Sequence, residues 1–426
     1  MDFFKNLEAK FVKDTFWLYL SFFVFALSGL FINLFILFNF NIDDLGIFIQ
    51  IYTIYLIWSQ FSVFGMNDSA QRNVAFYIKD RDEIFYIKFS ALLNGFLIGS
   101  FFSILLYLFS EKIGYIVQSY NVGLGLKLTG PAILFFTLNK IFLGILNGER
   151  RIKLYSIAQS LRSFLVFIIV IILGVTIEHS YKLAYSFLIT EIVLFIFLLN
   201  SKTIINISQM KLKRFLFWTK FHFIFGSKSF PVGFLYESYL KVDILMISFY
   251  LDDYRVGIYS FAAMFFEGLY QIPHLIKTNV NPILVRILKE EKSIYFSKFI
   301  KSMVLLSFFI TLFCALAIII IYPFLGPYFP SNIITETYLI IILLFFGLVI
   351  YSIFMPIDFI FLQAGYPIKQ TYLISLNVIV NVCLNFLLIP LYGLIGAAIS
   401  TSLSLIFSGA FLLIFMYYNK LISKKI

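Results

Sequence analysis

Charge is what this chain has least of: only 13% of its 426 residues are Asp, Glu, Lys or Arg. Acids are scarcer than bases, 22 against 33, and there are three histidines and two cysteines. Cys314 and Cys383 both fall inside apolar runs, so neither a disulfide framework nor a thiolate metal site is supported. His179, His222 and His274 lie on different segments and no H-E-x-x-H exists, which removes zinc-hydrolase chemistry and leaves no metal ligands to name. "FGSKSF" (225–230) lacks the first glycine of a phosphate-binding loop, and no strand precedes it. ATP hydrolysis is therefore not expected. Work against a gradient has to draw on an ion, H+ or Na+, or on the substrate's own gradient.

Apolar residues take the place of what is missing. They make up 61% of the chain, aromatics alone 20%, and the mean hydropathy is +0.95. A soluble domain could not bury that much apolar surface, because the buried fraction rises only slowly with size. Runs of about twenty apolar residues, the length of a membrane-crossing helix, should then recur. Reading between charged breaks gives twelve spans, at 15–39, 46–66, 86–109, 127–147, 155–175, 183–200, 229–250, 256–280, 302–325, 335–363, 370–390 and 394–418. The expected fold is an all-α polytopic membrane protein.

Twelve crossings return both termini to one side, and the basic residues say which. Alternate segments hold 26 Lys and Arg, Arg162 counted among them, against four (Lys112, Lys127, Lys182 and Arg255) on the other side. The basic side faces the cytoplasm, so both termini are expected there. A net charge of +11 then reflects anionic lipid headgroups as partners and calls for no nucleic acid. The opening "MDFFKNLEAKFVKD" is too long and too charged for a secretory leader, and the first span is expected to be retained.

A weak internal repeat accompanies the twelve spans. "YIKDRDEIFYIKF" (77–89) aligns with "ILKEEKSIYFSKF" (287–299) at an offset of 210, and "GERRIKLY" (148–155) with "GYPIKQTY" (365–372) at 217. Gln60 falls opposite Gln271. The expected organisation is two pseudo-symmetric six-helix bundles of the same orientation, 1–200 and 229–426, joined by a cytoplasmic linker at 201–228. The linker contains "KLKRFLFWTKFHF", which suits an amphipathic helix on the inner membrane surface and suits a solvated connection equally well.

Intramembrane charge is costly and marks function by default. "ESYLKVDILMISFY" (237–250) places Lys241 near the middle of its span, too deep to snorkel comfortably. Asp243 is about 200° further round the helix and cannot be its main partner. Glu237, one turn earlier, and Glu267 on the next span can pair with it. Glu267, Gln271, His274 and Thr278 share a face of that span, with Pro273 among them. Two readings of Lys241 stand side by side: a structural ion pair, or a cationic contact for an anionic group. Asp243 is expected to pair across to another helix or to titrate with a coupling ion. Lys140 is placed to snorkel or to face inward, Lys277 to meet lipid phosphate or a cavity mouth, and Asp358 to sit in solvent at the inner boundary. Glu191 has no partner evident in the sequence. Asn377, Asn381 and Asn385, with Gly396, Ser400, Ser404 and Ser408, read as packing seams.

"NFLLIPLYGLIGAAIST" (385–401) resembles the Asn…Ile-Pro-x-Tyr-Gly-x-x-Gly-Ala-Ala signature of polysaccharide repeat-unit flippases of the O-antigen type. These belong to the multidrug/oligosaccharidyl-lipid/polysaccharide (MOP) exporter superfamily. "YLKVDILMISFYLDDYRVGIYSFA" is similar to its basic-x-Asp…Val-Gly-x-Tyr element, and "FGMNDSAQRNVA" to its Gly…Ala-x-Arg element. The resemblance runs over essentially the whole chain. It implies a MATE-like arrangement of two bundles around a central cavity that opens alternately to either side. The implied cargo is an undecaprenyl-diphosphate-linked oligosaccharide of lipopolysaccharide or related polysaccharide biosynthesis, flipped from inner to outer leaflet of the bacterial cytoplasmic membrane. A polysaccharide polymerase is the implied downstream partner, and one chain suffices as a monomer.

In that setting Lys241 would hold the diphosphate, with Arg72, Lys277 and Lys140 toward the entry side. Gln60, Gln271 and His274 would offer hydrogen bonds to sugar hydroxyls. Asp243, Glu267, Glu237 and Asp358 remain as ion-pair or coupling groups. An organic-cation antiporter of the same superfamily is the alternative, for which Glu237, Asp243 and Asp358 would serve. Against it, the first span has no acid and the central charge is a lysine. A membrane polymerase or ligase is disfavoured by the absence of a large outer loop with clustered arginines.

Overall fold

The structure is a computed structural model and describes residues 2–200, 211–290, 293–330, 332–364 and 366–419. Among these residues it is helical, without strands. The order is α1 (Asp2–Asn39), α2 (Ile42–Val63), α3 (Met66–Phe76), α4 (Arg81–Ile116), α5 (Tyr120–Gly148), α6 (Ile152–Thr176), α7 (Tyr185–Leu199), α8 (Leu212–Tyr250), α9 (Asp253–Glu290), α10 (Ser293–Ile321), α11 (Ile333–Tyr351), α12 (Ile360–Gln363) and α13 (Pro367–Tyr418). The chain forms two compact units, Met1–Glu237 and Ser238–Ile426.

Nine helices among the described residues are long and apolar enough to cross a membrane. α8 and α9 are not among them, and these are the helices that carry Lys241, Asp243, Glu267 and Lys277. α13 counts once in that nine, yet its 52 residues would reach about 78 Å as a rod, more than twice a hydrocarbon core. It is not a rod. Gly393 has φ 57° and ψ −132°, a conformation essentially closed to residues with a Cβ. On either side of it the two arms are bonded to each other: Asn377 Nδ2 donates to Ser408 Oγ at 2.6 Å, and Asn381 Nδ2 to Ser404 Oγ at 3.3 Å. Both rungs are centred on the Tyr392–Gly393 step, so α13 is a hairpin of two antiparallel helices. The asparagine ladder and the serine seam read from the sequence are its two facing edges.

The tenth span departs from expectation. Instead of one helix over 335–363, α11 stops at Tyr351 and a 3-10 turn at Met355–Ile357 intervenes before the short α12. Pro356 lies in the break, where it removes a backbone donor and disfavours helix at the residue before it. A corner between α2 and α3 is also absent from the sequence reading. Phe64 and Gly65 take left-handed φ values of 46° and 66° in succession, and the chain turns into α3.

The linker is helical over its second part, and one face of that helix is covered by protein. Residues 201–210 lie outside the described residues, and 212–228 form the start of α8, packed on the first unit. Gly226 of α8 meets the Phe64 carbonyl so closely that no side chain fits there. Trp218 Nε1 donates to Glu83 Oε2 at 2.6 Å, and Tyr86 Oη accepts from the Lys211 amide at 2.9 Å. His222 is fully buried between Ser69 Oγ (2.7 Å) and the Ile87 carbonyl (3.0 Å). A carbonyl only accepts, so Nε2 donates to it and Nδ1 accepts from Ser69. Burial pushes the imidazole pKa down to about 4, which keeps it neutral.

Candidate functional site

The first unit holds a buried ionic group that the sequence places elsewhere. Arg162, expected among the cytoplasmic bases, stands eleven residues into α6, and its Nε lies 2.9 Å from Glu191 Oε1. Its Nη2 donates to Glu191 Oε2 at 3.0 Å, and the guanidinium lies 4.7 Å from the Phe136 ring centroid. Asn139 Nδ2 donates to both the carboxylate and the carbonyl of Glu191, each at 2.8 Å, and Tyr55 Oη reaches Oε1 at 3.4 Å. Glu191, partnerless in the sequence, thus has partners on α2, α5 and α6. An ion pair with this many hydrogen bonds offsets its desolvation locally and ties four helices together.

The other predicted residues of this unit are not in that group. Arg72 on α3 is exposed and lies over the Phe225 ring at 5.5 Å. Lys140, half-buried in α5, is within electrostatic reach of Asp68. Gln60 lies in the last turn of α2, its side chain half-buried and its carbonyl accepting the Phe64 amide at 3.1 Å.

In the second unit, helical geometry separates Lys241 and Asp243 as their spacing requires. Lys241 Nζ donates to Glu267 Oε1 at 2.8 Å; the lysine side chain is 16% exposed and the glutamate 47%. The side chain of Glu237, the other candidate partner, lies outside the described residues. Further along α9, Gln271 is half-buried, His274 stacks on Tyr270 at 6.2 Å between centroids, and Thr278 Oγ1 donates to the His274 carbonyl at 2.9 Å.

Asp243 points into the packed interior. It accepts from Thr401 Oγ1 (2.6 Å), Asn385 Nδ2 (2.7 Å), Tyr259 Oη (3.0 Å) and Asn381 Nδ2 (3.3 Å). All four donors are neutral. Two of them belong to the asparagine ladder, which therefore does more than pack: beyond its rungs to the seam it solvates a buried carboxylate. Sequence spacing shows the ladder, but only the α13 hairpin shows what it faces.

Lys277 and Asp358 depart furthest from their expected surroundings. Lys277 is only 3% exposed; its Nζ donates to Asp358 Oδ2 at 2.9 Å and lies 3.5 Å from the Phe359 ring centroid. Tyr351 Oη donates to the same oxygen at 3.0 Å. Asp358 is thus not a solvated boundary group, and Lys277 meets a carboxylate in place of the lipid phosphate or cavity mouth expected for it. The α11–α12 break puts Asp358 there, and its carbonyl accepts from Gln370 Nε2 at 3.0 Å. Among the described residues no cluster of His, Cys, Asp or Glu could hold a metal ion.

No sequence-family profile and no curated protein matches the chain. Solved structures do. The lipid II flippase MurJ in an inward closed conformation superposes with a TM-score of 0.77 at 21% identity, over 94% of this chain and 87% of that one. Multidrug resistance MATE family transporters of the MOP superfamily match in an inward-facing form (TM-score 0.67, 14% identity, 94% of each chain) and an outward-facing form (0.61, 13%, 96% and 95%). These are a flippase and transporters, not enzymes. The fold of this chain is the MOP transporter fold that MurJ and the MATE proteins share.

Proposed function

We propose that the chain is a flippase that carries undecaprenyl-diphosphate-linked oligosaccharide units from the inner to the outer leaflet of a bacterial cytoplasmic membrane by alternating access. The observation that carries this reading is the asymmetry of the Lys241–Glu267 pair. The lysine is mostly buried and its partner is half-exposed. A desolvated ammonium needs an anion at every stage of a transport cycle. Glu267 supplies one at rest and, being at the open edge, can give way to a diphosphate, whose several charged oxygens compete well where the dielectric is low. The Lys277–Asp358 pair, closed on both sides, lacks that property, so the substrate role concentrates on Lys241. MurJ, named for lipid II, supports a lipid-linked cargo. Asp243, with neutral donors on every side, is the group we assign to coupling with an ion gradient.

Lys241→Ala and Lys241→Glu are expected to abolish lipid-linked sugar export while the protein still folds, and Lys241→Arg to keep most of it. Complementation of a flippase-null strain measures this, and full activity of Lys241→Ala would sink the assignment. A multidrug antiporter is the second reading, favoured by the buried Asp243 carboxylate and by the MATE neighbours. It requires ethidium or norfloxacin efflux from a pump-deficient host that Asp243→Asn removes.

A further inference from the structure

The start of α8 has two faces of different character. One is spent on the first unit: Trp218, His222 and Gly226 are buried there. The opposite face, from Leu212 to Lys228, is not covered. At 100° per residue Leu212, Leu216, Phe217, Phe223 and Ile224 fall within an arc of about 140°. All five are exposed, Leu212 at 65% and Phe217 at 60%. Large apolar side chains open on one arc of a docked helix are a surface awaiting an apolar partner. Lys213 and Lys220 stand within the same arc and Lys228 at its edge, all three exposed.

Charge along the segment is one-sided. Between Glu191 and Glu237 the chain has no acidic residue, and it has six basic ones. Arg214 turns to Glu83 at 3.5 Å, whereas the lysines of the open arc have no acid nearby in sequence. A protein partner would have to bring both apolar and acidic groups in this register. A leaflet carrying anionic phospholipid presents both at once: acyl chains for the leucines and phenylalanines, phosphates for ammonium groups on long flexible stems.

We propose that the open face of residues 212–228 is a binding surface for anionic phospholipid of the inner leaflet, with Lys213, Lys220 and Lys228 on the headgroup phosphates and Leu216, Phe217 and Phe223 among the upper acyl chains. Because the other face is fixed to the α2–α3 corner, lipid held here bears on the first unit through α8. This is independent of which cargo the protein carries.

The test uses the full chain with Cys314→Ala and Cys383→Ala, a single Phe223→Cys carrying an environment-sensitive fluorophore, and reconstitution into phosphatidylcholine nanodiscs. A minor fraction of the lipid is replaced by acyl-brominated phosphatidylglycerol or, in parallel, by acyl-brominated phosphatidylcholine. Quenching at least about twofold stronger with the anionic lipid is expected, the advantage disappearing in Lys213→Glu/Lys220→Glu/Lys228→Glu. Equal quenching by both lipids before the lysines are changed, quenching by neither, or a preference that survives the triple substitution would overturn the proposal. Leu216→Cys gives the same readout should Phe223→Cys fold poorly.

Discussion

At the scale of single residues, the buried charges divide by what their partners leave open. Arg162 is enclosed: a carboxylate grips two of its nitrogens and an aromatic ring covers the guanidinium face. Removing one partner of such a pair leaves a bare buried charge and typically costs about 3–5 kcal/mol, whereas removing both for apolar groups is often neutral. Glu191→Ala is therefore expected to lower the melting temperature in detergent sharply. Arg162→Leu/Glu191→Leu should recover most of the loss. A double variant no more stable than Glu191→Ala would mean that the pair is not the source of the stability. The sequence does not reveal this site because Arg162 precedes the apolar run of α6, which begins at Phe164, and so is compatible with a helix end, and because Asn139 and Tyr55, which define the site, are ordinary buried residues until the helices are placed. Lys241 is easier to read. Its separation from Asp243 follows from helix geometry alone, and Glu267 is one of two acids within reach.

At the scale of elements, the geometry of α13 rests on one residue. Gly393 turns a 52-residue helical stretch into a hairpin, and the hairpin brings Asn381, Asn385 and Thr401 to Asp243. A Cβ placed on Gly393 would meet nothing within 4 Å, so any effect of substitution comes from the backbone and not from crowding. Gly393→Ala is expected to cost on the order of 1–3 kcal/mol through strain at this dihedral pair. Equal thermal stability of Gly393→Ala and the unsubstituted protein would show that the turn can relax into another conformation. The tyrosine-glycine step of "IPLYG" is visible as a motif, and its meaning is this reversal. The α11–α12 break is less visible, because a single proline in an apolar stretch is compatible with a kinked but continuous helix. Asp358 escapes the sequence for the same reason: without the break it sits at a helix end in solvent, and with it the carboxylate meets Lys277.

For the whole molecule, hydropathy and polar chemistry compete for the same helices, and crossing number depends on which wins. Among the described residues the nine helices long and apolar enough to cross allow ten crossings once α13 is divided into its two arms. Twelve require α8 and α9 to cross as well, although their charged and polar residues make them less apolar than the other nine. Two features favour crossing. Residues 229–250 span about 33 Å as helix, enough for a hydrocarbon core. Lys241 and Asp243 also find their partners inside the second unit, Lys241 the opposite charge of Glu267 and Asp243 four neutral donors that stand in for water, so neither has to face lipid. With the basic segments on the cytoplasmic side, as the charge distribution leads one to expect, crossing by α8 and α9 would put the turn at Leu251–Asp252 outside, while Arg81 at the start of α4 would face the cytoplasm. With Cys314 and Cys383 replaced by alanine, Asp252→Cys should react with a membrane-impermeant maleimide in intact spheroplasts, and Arg81→Cys only after the membrane is permeabilised. If Asp252→Cys is labelled only after permeabilisation, α8 and α9 do not cross, and Lys241 loses the mid-membrane position on which its substrate role depends.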